Sequence, residues 1–255
     1  MVAQSPGPNV VARVGAVLRA VAAAEPAGAS TTELGIQAGL ARPTAHRLLA
    51  SLAEEHLVAR DPKSGRWSLG PELYLLGVGA SYRYDVTDQA RAVLTRLARE
   101  TGESAFFTAR RGDETVCVLN EEGSFPLRSH VLHVGIRFPL GVASAGLAIL
   151  SHLPDRDVDA YFGRVQPEAG WGPTHSEAAI RARVAATRHT GYAVNPALIV
   201  EGSWGIGAAV FDRSGRPAWA LSLTGVETRF RPERHHELGT LLLEQAHVLS
   251  SRLAV

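Results

Sequence analysis

Residues 30–52 read STTELGIQAGLARPTAHRLLASL, and how this stretch folds decides the rest of the reading. Ser30, followed three residues later by Glu33, forms a capping box, in which hydroxyl and carboxylate each satisfy a backbone N–H that the first helical turn leaves open. The spacing predicts a short helix over 31–38. Gly39 suits the left-handed residue that ends it, and Leu40 plugs the turn. Pro43 falls in the first turn of the next helix, where its missing N–H costs nothing, so the proline starts that helix rather than breaking it. The second helix runs to about Glu55, with Ala45, Leu48, Leu49 and Leu52 on one face. The other face carries Pro43, His46, Arg47 and Ala50, flanked by Arg42 and Thr44.

Upstream, Val10, Val14, Val17, Leu18 and Val21 recur at helical spacing, which predicts a helix over 10–24 behind a polar tail at 1–8. Downstream, Leu57–Arg60 and Trp67–Leu69 alternate like strands around the turn Asp61-Pro62-Lys63-Ser64-Gly65. Helix, helix, tight turn, helix, hairpin is the order of a winged helix-turn-helix. In such a unit the second helix of the turn enters the major groove, and arginine is suited to a bidentate contact with guanine. Arg42, Thr44, His46 and Arg47 are therefore the candidate base readers. Lys63 and Arg66 are placed to touch phosphates or the adjacent minor groove, and Thr31 and Thr32 to offer a phosphate the backbone N–H groups of a helix start.

The chain of 255 residues is 45% apolar and carries a net charge of +1, so a basic surface does not mark the whole protein and any basic patch is local. Residues 1–70 hold seven Arg and Lys against five Asp and Glu, an excess that fits a patch. Lys63 is the single lysine. One cysteine, Cys117, excludes an intramolecular disulfide and a cysteine-rich zinc site. No charged and apolar leader opens the sequence, and no stretch has the roughly 18 apolar residues of a membrane span, so a soluble cytoplasmic protein is expected.

Residues 71–84 (PELYLLGVGASYRY) read as a connecting helix opened by Pro71. Leu73, Leu76, Ala80 and Tyr84 lie at helical spacing, and the flanking Leu75, Val78 and Tyr82 leave more apolar surface than one face needs, which favours a dimer seam over a core face. From 85 onward the pattern is mixed. A helix over 86–101, with Val93, Leu94 and Leu97 inward, precedes strands at SAFFTAR and TVCVLN. A strand near 127–131 leads into the loop HVGIRFPLG. Helices follow at 143–152, 155–163 and 176–189, strands at 192–195, 204–211 and 218–225, and a long helix at 232–253. Strands and helices mixed in this way predict an α+β domain. The expected organisation is a DNA-binding domain at 1–70, a linker helix at 71–84 and a second domain at 85–255.

Both halves together resemble the IclR family of bacterial transcriptional regulators over roughly 10–253. The matching motifs are STTELGIQAGLARPTAHRLLASL, LVARDPKSGRWSLGPELYLLG, the Gly135…Pro139-Leu140…Ser144-Ala145-Gly146 segment, HTGYAV, GIGAAVFDRSGRPAWALSLTG and the final helix. The resemblance implies a winged helix-turn-helix joined by a linker helix to an α+β, GAF-like effector-binding domain. It implies a homodimer or dimer of dimers on a pseudo-palindromic double-stranded DNA operator, with a small effector, often a carboxylic or aromatic acid, and no cofactor or membrane partner. Carried over by position, the effector site falls on Ser144, Ala145, Gly146, Asn195, Gly205, Ser222 and Thr224. Two features of the residues agree. Small residues opening a helix expose N–H groups to an anion, and Ser222 and Thr224, alternating with Leu221 and Leu223, share one strand face. Asn195 and the run NPALIV stand where several relatives are acidic, which points to an effector less polar than a simple keto acid.

Cys117 sits in an apolar alternating strand and reads as a small core residue rather than a nucleophile. His130 and His133 with His152, Asp155 and Asp157 match no metal template, although the resemblance leaves zinc in this domain open. His235 and His236 read as surface, and Gly205-Ile206-Gly207 is a weak fragment of a nucleotide-binding pattern. The competing reading is a metabolite-binding or enzymatic C-terminal domain with a winged module that does not bind DNA.

Overall fold

The computed structural model describes residues 10–84, 86–127, 129 and 131–253, with backbone alone for 80–84. The tail 1–8, His130 and the side chains of Ala80, Tyr82 and Tyr84 lie outside the described residues. The chain divides into two compact units after Tyr84.

In the first unit α1 (Val10–Ala23), α2 (Thr31–Gln37) and α3 (Arg42–Glu54) surround a core of Val17, Val21, Leu34, Leu49, Leu52, Val58 and Trp67. Strands β1 (Val58–Arg60) and β2 (Trp67–Leu69) form an antiparallel hairpin, and α4 (Pro71–Tyr84) follows. The capping box is present: Glu33 N–H donates to Ser30 Oγ at 3.3 Å and Ser30 N–H to Glu33 Oε2 at 2.7 Å. Gly39, at φ 66°, makes the turn into α3.

The second unit is a six-stranded antiparallel sheet of order β5-β4-β3-β8-β7-β6 with helices on both faces. Its elements are α5 (Thr87–Thr101), β3 (Ser104–Arg111), β4 (Glu114–Glu121), β5 (Arg137–Pro139), α6 (Ser144–Ser151), α7 (Asp155–Phe162), α8 (Glu168–Trp171), a 3₁₀ turn (Pro173–His175), α9 (Glu177–Thr190), β6 (Ala193–Pro196), β7 (Ser203–Phe211), β8 (Pro217–Val226), a second 3₁₀ turn (Glu227–Arg229) and α10 (Pro232–Leu253). On one face α5 and α10 bury Leu94, Leu97, Leu238 and Leu242 against Phe107, Ile206, Leu221 and Leu223. On the other, α6, α7 and α9 pack Leu147, Ile149, Val158, Ile180 and Val184 over Ala193, Ala209 and Ala220. The sheet side chains beneath this second layer are small, which lets α6 lie close to the strands.

Two expectations need correction. No strand occurs near 127–131 among the described residues; the edge strand is Arg137–Pro139, inside the stretch read as a loop. Gly135 and Pro139 look like loop punctuation, yet Pro139 ends an edge strand, pairing with Glu114, where a missing N–H interrupts no inner ladder. His235 is not a surface residue: it is half-buried, its Nε2 lies 2.8 Å from the Phe230 carbonyl, and its ring packs against Trp204. A carbonyl only accepts, so that nitrogen carries the proton.

Candidate nucleic-acid interface and effector pocket

In the first unit α3 opens at Arg42 with Ala41 before it and Pro43 in its first turn. Ala45, Leu49 and Leu52 turn inward, and Arg42, Pro43, His46 and Arg47 line an open concavity on the outer face. Thr44 is half-buried and Thr32 exposed. On the hairpin, Asp61 Oδ1 accepts from Lys63 N–H at 2.8 Å and Ser64 N–H at 2.7 Å, and these bonds hold its carboxyl below the usual range. Lys63 is left exposed at the tip.

Two of the eight residues singled out for DNA are committed to the domain itself. Thr31 is buried, and its Oγ1 accepts from Trp67 Nε1 at 2.9 Å. Arg66 donates from Nη2 to the Gly28 carbonyl at 3.0 Å and from Nε to the Ala27 carbonyl at 3.1 Å, and lies 3.6 Å from Glu33. With the reciprocal bonds between Ala29 and Trp67, these contacts fasten the hairpin to the start of α2. The start of α2 also holds the Glu33 carboxylate, kept ionised chiefly by Ser30 N–H, so this helix end already faces a negative charge of its own.

In the second unit six of the seven predicted effector residues come together on the α6 face of the sheet; Gly146 does not join them, its bare Cα packing against the Pro139–Gly141 backbone. Two adjoining small cavities, of about 10 and about 20 Å³ and so with room for little more than a water each as the side chains stand, share Leu132, Ala143 and Ser144. The first also touches Thr108, Cys117, Phe138 and Ser222; the second also touches Asn195, Ile199, Trp204, Gly205 and Thr224. The cross-strand register explains this placement. Gly205 pairs with Thr224 and Gly207 with Ser222, so each hydroxyl residue of β8 faces a residue of β7 with no side chain. A Cβ at Gly207 would lie 2.8 Å from the carbonyl group of Ser144, so the absent side chain is what admits the start of α6. The Gly-Ile-Gly fragment is therefore a packing device.

Helix α6 is buried along all eight residues, and no side chain caps its N-terminus. Its first N–H groups carry the positive end of the helix dipole. Ser222 is fully buried and Thr224 nearly so, and Ser222 Oγ, Thr224 Oγ1 and Trp204 Nε1 have no hydrogen-bond partner among the described residues. The hydroxyls are thus neither solvent-facing nor locally bonded. Asn195 plays another part: its Nδ2 donates to the Val142 carbonyl at 2.7 Å and its Oδ1 accepts from Leu198 N–H at 3.1 Å, so it ties the loop before α6 to the end of β6. Trp204, Leu132, Ile136 and Ile199 were not singled out from sequence; the contacts that make them lining residues are long-range and leave no local pattern.

Burial pushes the Cys117 thiol up to about 12, which keeps it unreactive as a nucleophile. Among the described residues no three His, Cys, Asp or Glu stand close enough to hold a metal ion, and no helix is long and apolar enough to cross a membrane.

The family described as "Bacterial transcriptional regulator IclR C-terminal" matches residues 79–251, and the "IclR helix-turn-helix domain" matches residues 10–62. The HTH-type transcriptional regulator Rv1719 of Mycobacterium tuberculosis is 33% identical over 208 residues, covering 81% of this chain and 78% of its own. A crystal structure of an IclR transcriptional regulator from Alicyclobacillus acidocaldarius superposes with a TM-score of 0.79 at 25% identity, covering 96% of this chain and 98% of its own. An IclR homologue from Microbacterium hydrocarbonoxydans, crystallised with 4-hydroxybenzoate, shares the fold with a TM-score of 0.76 at 22% identity, covering 95% of this chain and 98% of its own.

Proposed function

The chain belongs to the IclR family of bacterial transcriptional regulators, and from that premise we propose that it reads a two-fold operator through α3 with an affinity set by a small acid held beneath α6. Arg42, His46 and Arg47 are the base-reading side chains, with Thr44 beside them; Lys63 meets the backbone; Thr32 lies at the phosphate side of α2. Thr31 and Arg66 hold the hairpin in place for that contact. One such unit makes few contacts, so a homodimer or dimer of dimers supplies two half-sites. Its seam is α4, where Tyr74, Leu75, Leu76 and Val78 are 74, 59, 56 and 45% exposed.

The observation that carries the effector reading is the pair of buried, unpartnered hydroxyls on β8 below an uncapped helix start. A buried polar group without a partner is costly, and a ligand carboxylate or phenol completes the set. The apolar lining by Leu132, Ile136, Phe138 and Ile199 suits a ligand with a hydrocarbon or aromatic body, which enters as these side chains part and joins the two cavities. The ligand shifts the balance between arrangements of the dimer that fit the half-site spacing and those that do not. We read the chain as a regulator rather than an enzyme.

The test is selection of sites from a random duplex pool at near-physiological salt, followed by titration of the selected site with aromatic and aliphatic monocarboxylates, 4-hydroxybenzoate among them. The expected result is a pseudo-palindrome whose affinity changes with one class of acid. Salt-sensitive binding without sequence preference, with and without the acids, would overturn the reading.

A further inference from the structure

Helix α9 carries three arginines whose surroundings differ. Arg181 lies 2.7 Å from Asp159 and 2.8 Å from Glu177. Arg188 lies 2.7 Å from Asp155 and donates to the carbonyls of Ser151 and Leu153. Arg183, between them, has no carboxylate among the described residues. Its Nη2 donates to the Thr174 carbonyl at 3.1 Å, while Nε and Nη1 are buried without a hydrogen-bond partner. On the opposite face of the sheet the buried carboxylate of Glu103 has Arg229 at 2.8 Å and Arg234 at 3.3 Å, so this fold pairs the charge it buries there.

Arg183 is half-buried, its Nη2 at the surface; an arginine cannot shed its proton, so the two buried nitrogens must be satisfied from outside the chain or left unpaired at a cost. Burial alone lowers the proton affinity of Arg183; no acidic neighbour offsets it. Beside it, His175 is fully buried. Its Nδ1 lies 3.1 Å from the Trp171 carbonyl and so carries the proton, and the Val142 backbone is the other polar neighbour of the ring. Burial and then the Arg183 charge are among the causes that hold its imidazole below the ordinary range. Two nitrogens of the Arg183 guanidinium thus lack partners, and among the described residues no carboxylate pairs with them.

We propose that Arg183 forms a second ligand site, for an oxyanion (a carboxylate or a phosphate), lying between α9 and the Pro173–His175 turn. The fork of Arg183 presents Nε and one terminal nitrogen side by side, the geometry that pairs with two oxygens of one anion. Pro173 and Thr174 are exposed, so the anion arrives from that edge and takes the place of the Thr174 carbonyl. Arg183 lines neither cavity of the hydroxyl pocket, and Trp171, packed on Phe138 at 5.3 Å and on His175 at 6.2 Å, links the two regions. Through Trp171 and Phe138, occupancy of one site reaches the lining of the other.

The test is thermal unfolding of the full chain in sodium chloride, sodium phosphate and sodium acetate at matched ionic strength, for wild type, Arg183→Met and Arg183→Lys. The expected result is a midpoint about 2–4 °C higher in phosphate or acetate than in chloride. Arg183→Met should lose that rise and be at least as stable as wild type in chloride; Arg183→Lys should keep a reduced rise. A rise in phosphate alone assigns the site to phosphate-like ligands, and in acetate alone to carboxylates. No rise in wild type above chloride, or an equal rise in Arg183→Met, overturns the proposal. Should Arg183→Met fail to fold, the wild-type and Arg183→Lys arms decide alone, an undiminished rise in the lysine variant counting against it.

Discussion

A buried hydroxyl without a partner costs the folded chain about 1–3 kcal/mol, and β8 carries two. Ser222→Ala removes one such group, so the effector-free protein is expected to unfold at a higher temperature while its response to effector weakens. Calorimetry with and without a responsive acid checks both halves; a lower midpoint without ligand means that Ser222 is satisfied in solution. On α3 the logic is reversed, because Arg47 is exposed and, among the described residues, makes no hydrogen bond or ion pair that holds the fold. Arg47→Ala should cost about 1–3 kcal/mol of discrimination at one base pair and leave the unfolding midpoint in place. Operator titrations on single-base variants report the first, and a melting curve the second. At this scale sequence was informative about residue type and silent about partners. Ser222 and Thr224 were readable as sharing a face, but their burial under α6 depends on segments far apart in the chain. Arg66 and Lys63 look alike in the string DPKSGRW, and only the folded hairpin shows that one grips carbonyls and the other reaches solvent.

That difference belongs to the hairpin as an element. Lys63→Ala is expected to reduce the steepness of the salt dependence of DNA binding by about one unit on a log–log plot, with stability unchanged. Arg66→Ala should lower the unfolding midpoint, because it releases the Ala27 and Gly28 carbonyls and the Glu33 ion pair. Equal effects on both readouts would remove the distinction. On the other unit, Gly207→Ala forces a methyl toward Ser144 and should cost about 1–3 kcal/mol together with effector affinity, measurable by chemical denaturation and ligand titration. Elements with a clear period were legible: α1 to α3, the hairpin, α5 and α10 lie within a residue or two of where apolar spacing put them. The edge strand Arg137–Pro139 was not, because three residues ending in proline give no alternation to count. The four-residue α8 escaped for the same reason.

For the whole molecule the exposed apolar side chains of α4 are the consequential surface. Leu76→Glu is expected to shift the sedimenting species toward the monomer and to weaken operator binding far more than a single lost contact would, since two half-sites bind as one ligand only while joined. Sedimentation across a range of protein concentrations measures it; an unchanged assembly places the seam elsewhere. The order of motifs across both halves was enough to name the family, because each local choice agrees with the fold it serves. The unpaired Arg183 had no counterpart in that reading: the lack of a partner is a property of the folded neighbourhood, and RARVAATR looks like any polar helix face.

The exposed Lys63 at the hairpin tip is the single side-chain amine in the chain. Acylation there converts the cation to a neutral amide at the point nearest the proposed DNA backbone contact. Apart from the α-amino group, a succinimidyl-ester dye therefore has one address to reach, and its anisotropy there follows hairpin and operator together. Enzymatic acetylation of that same nitrogen would turn one covalent mark into a direct control on grip.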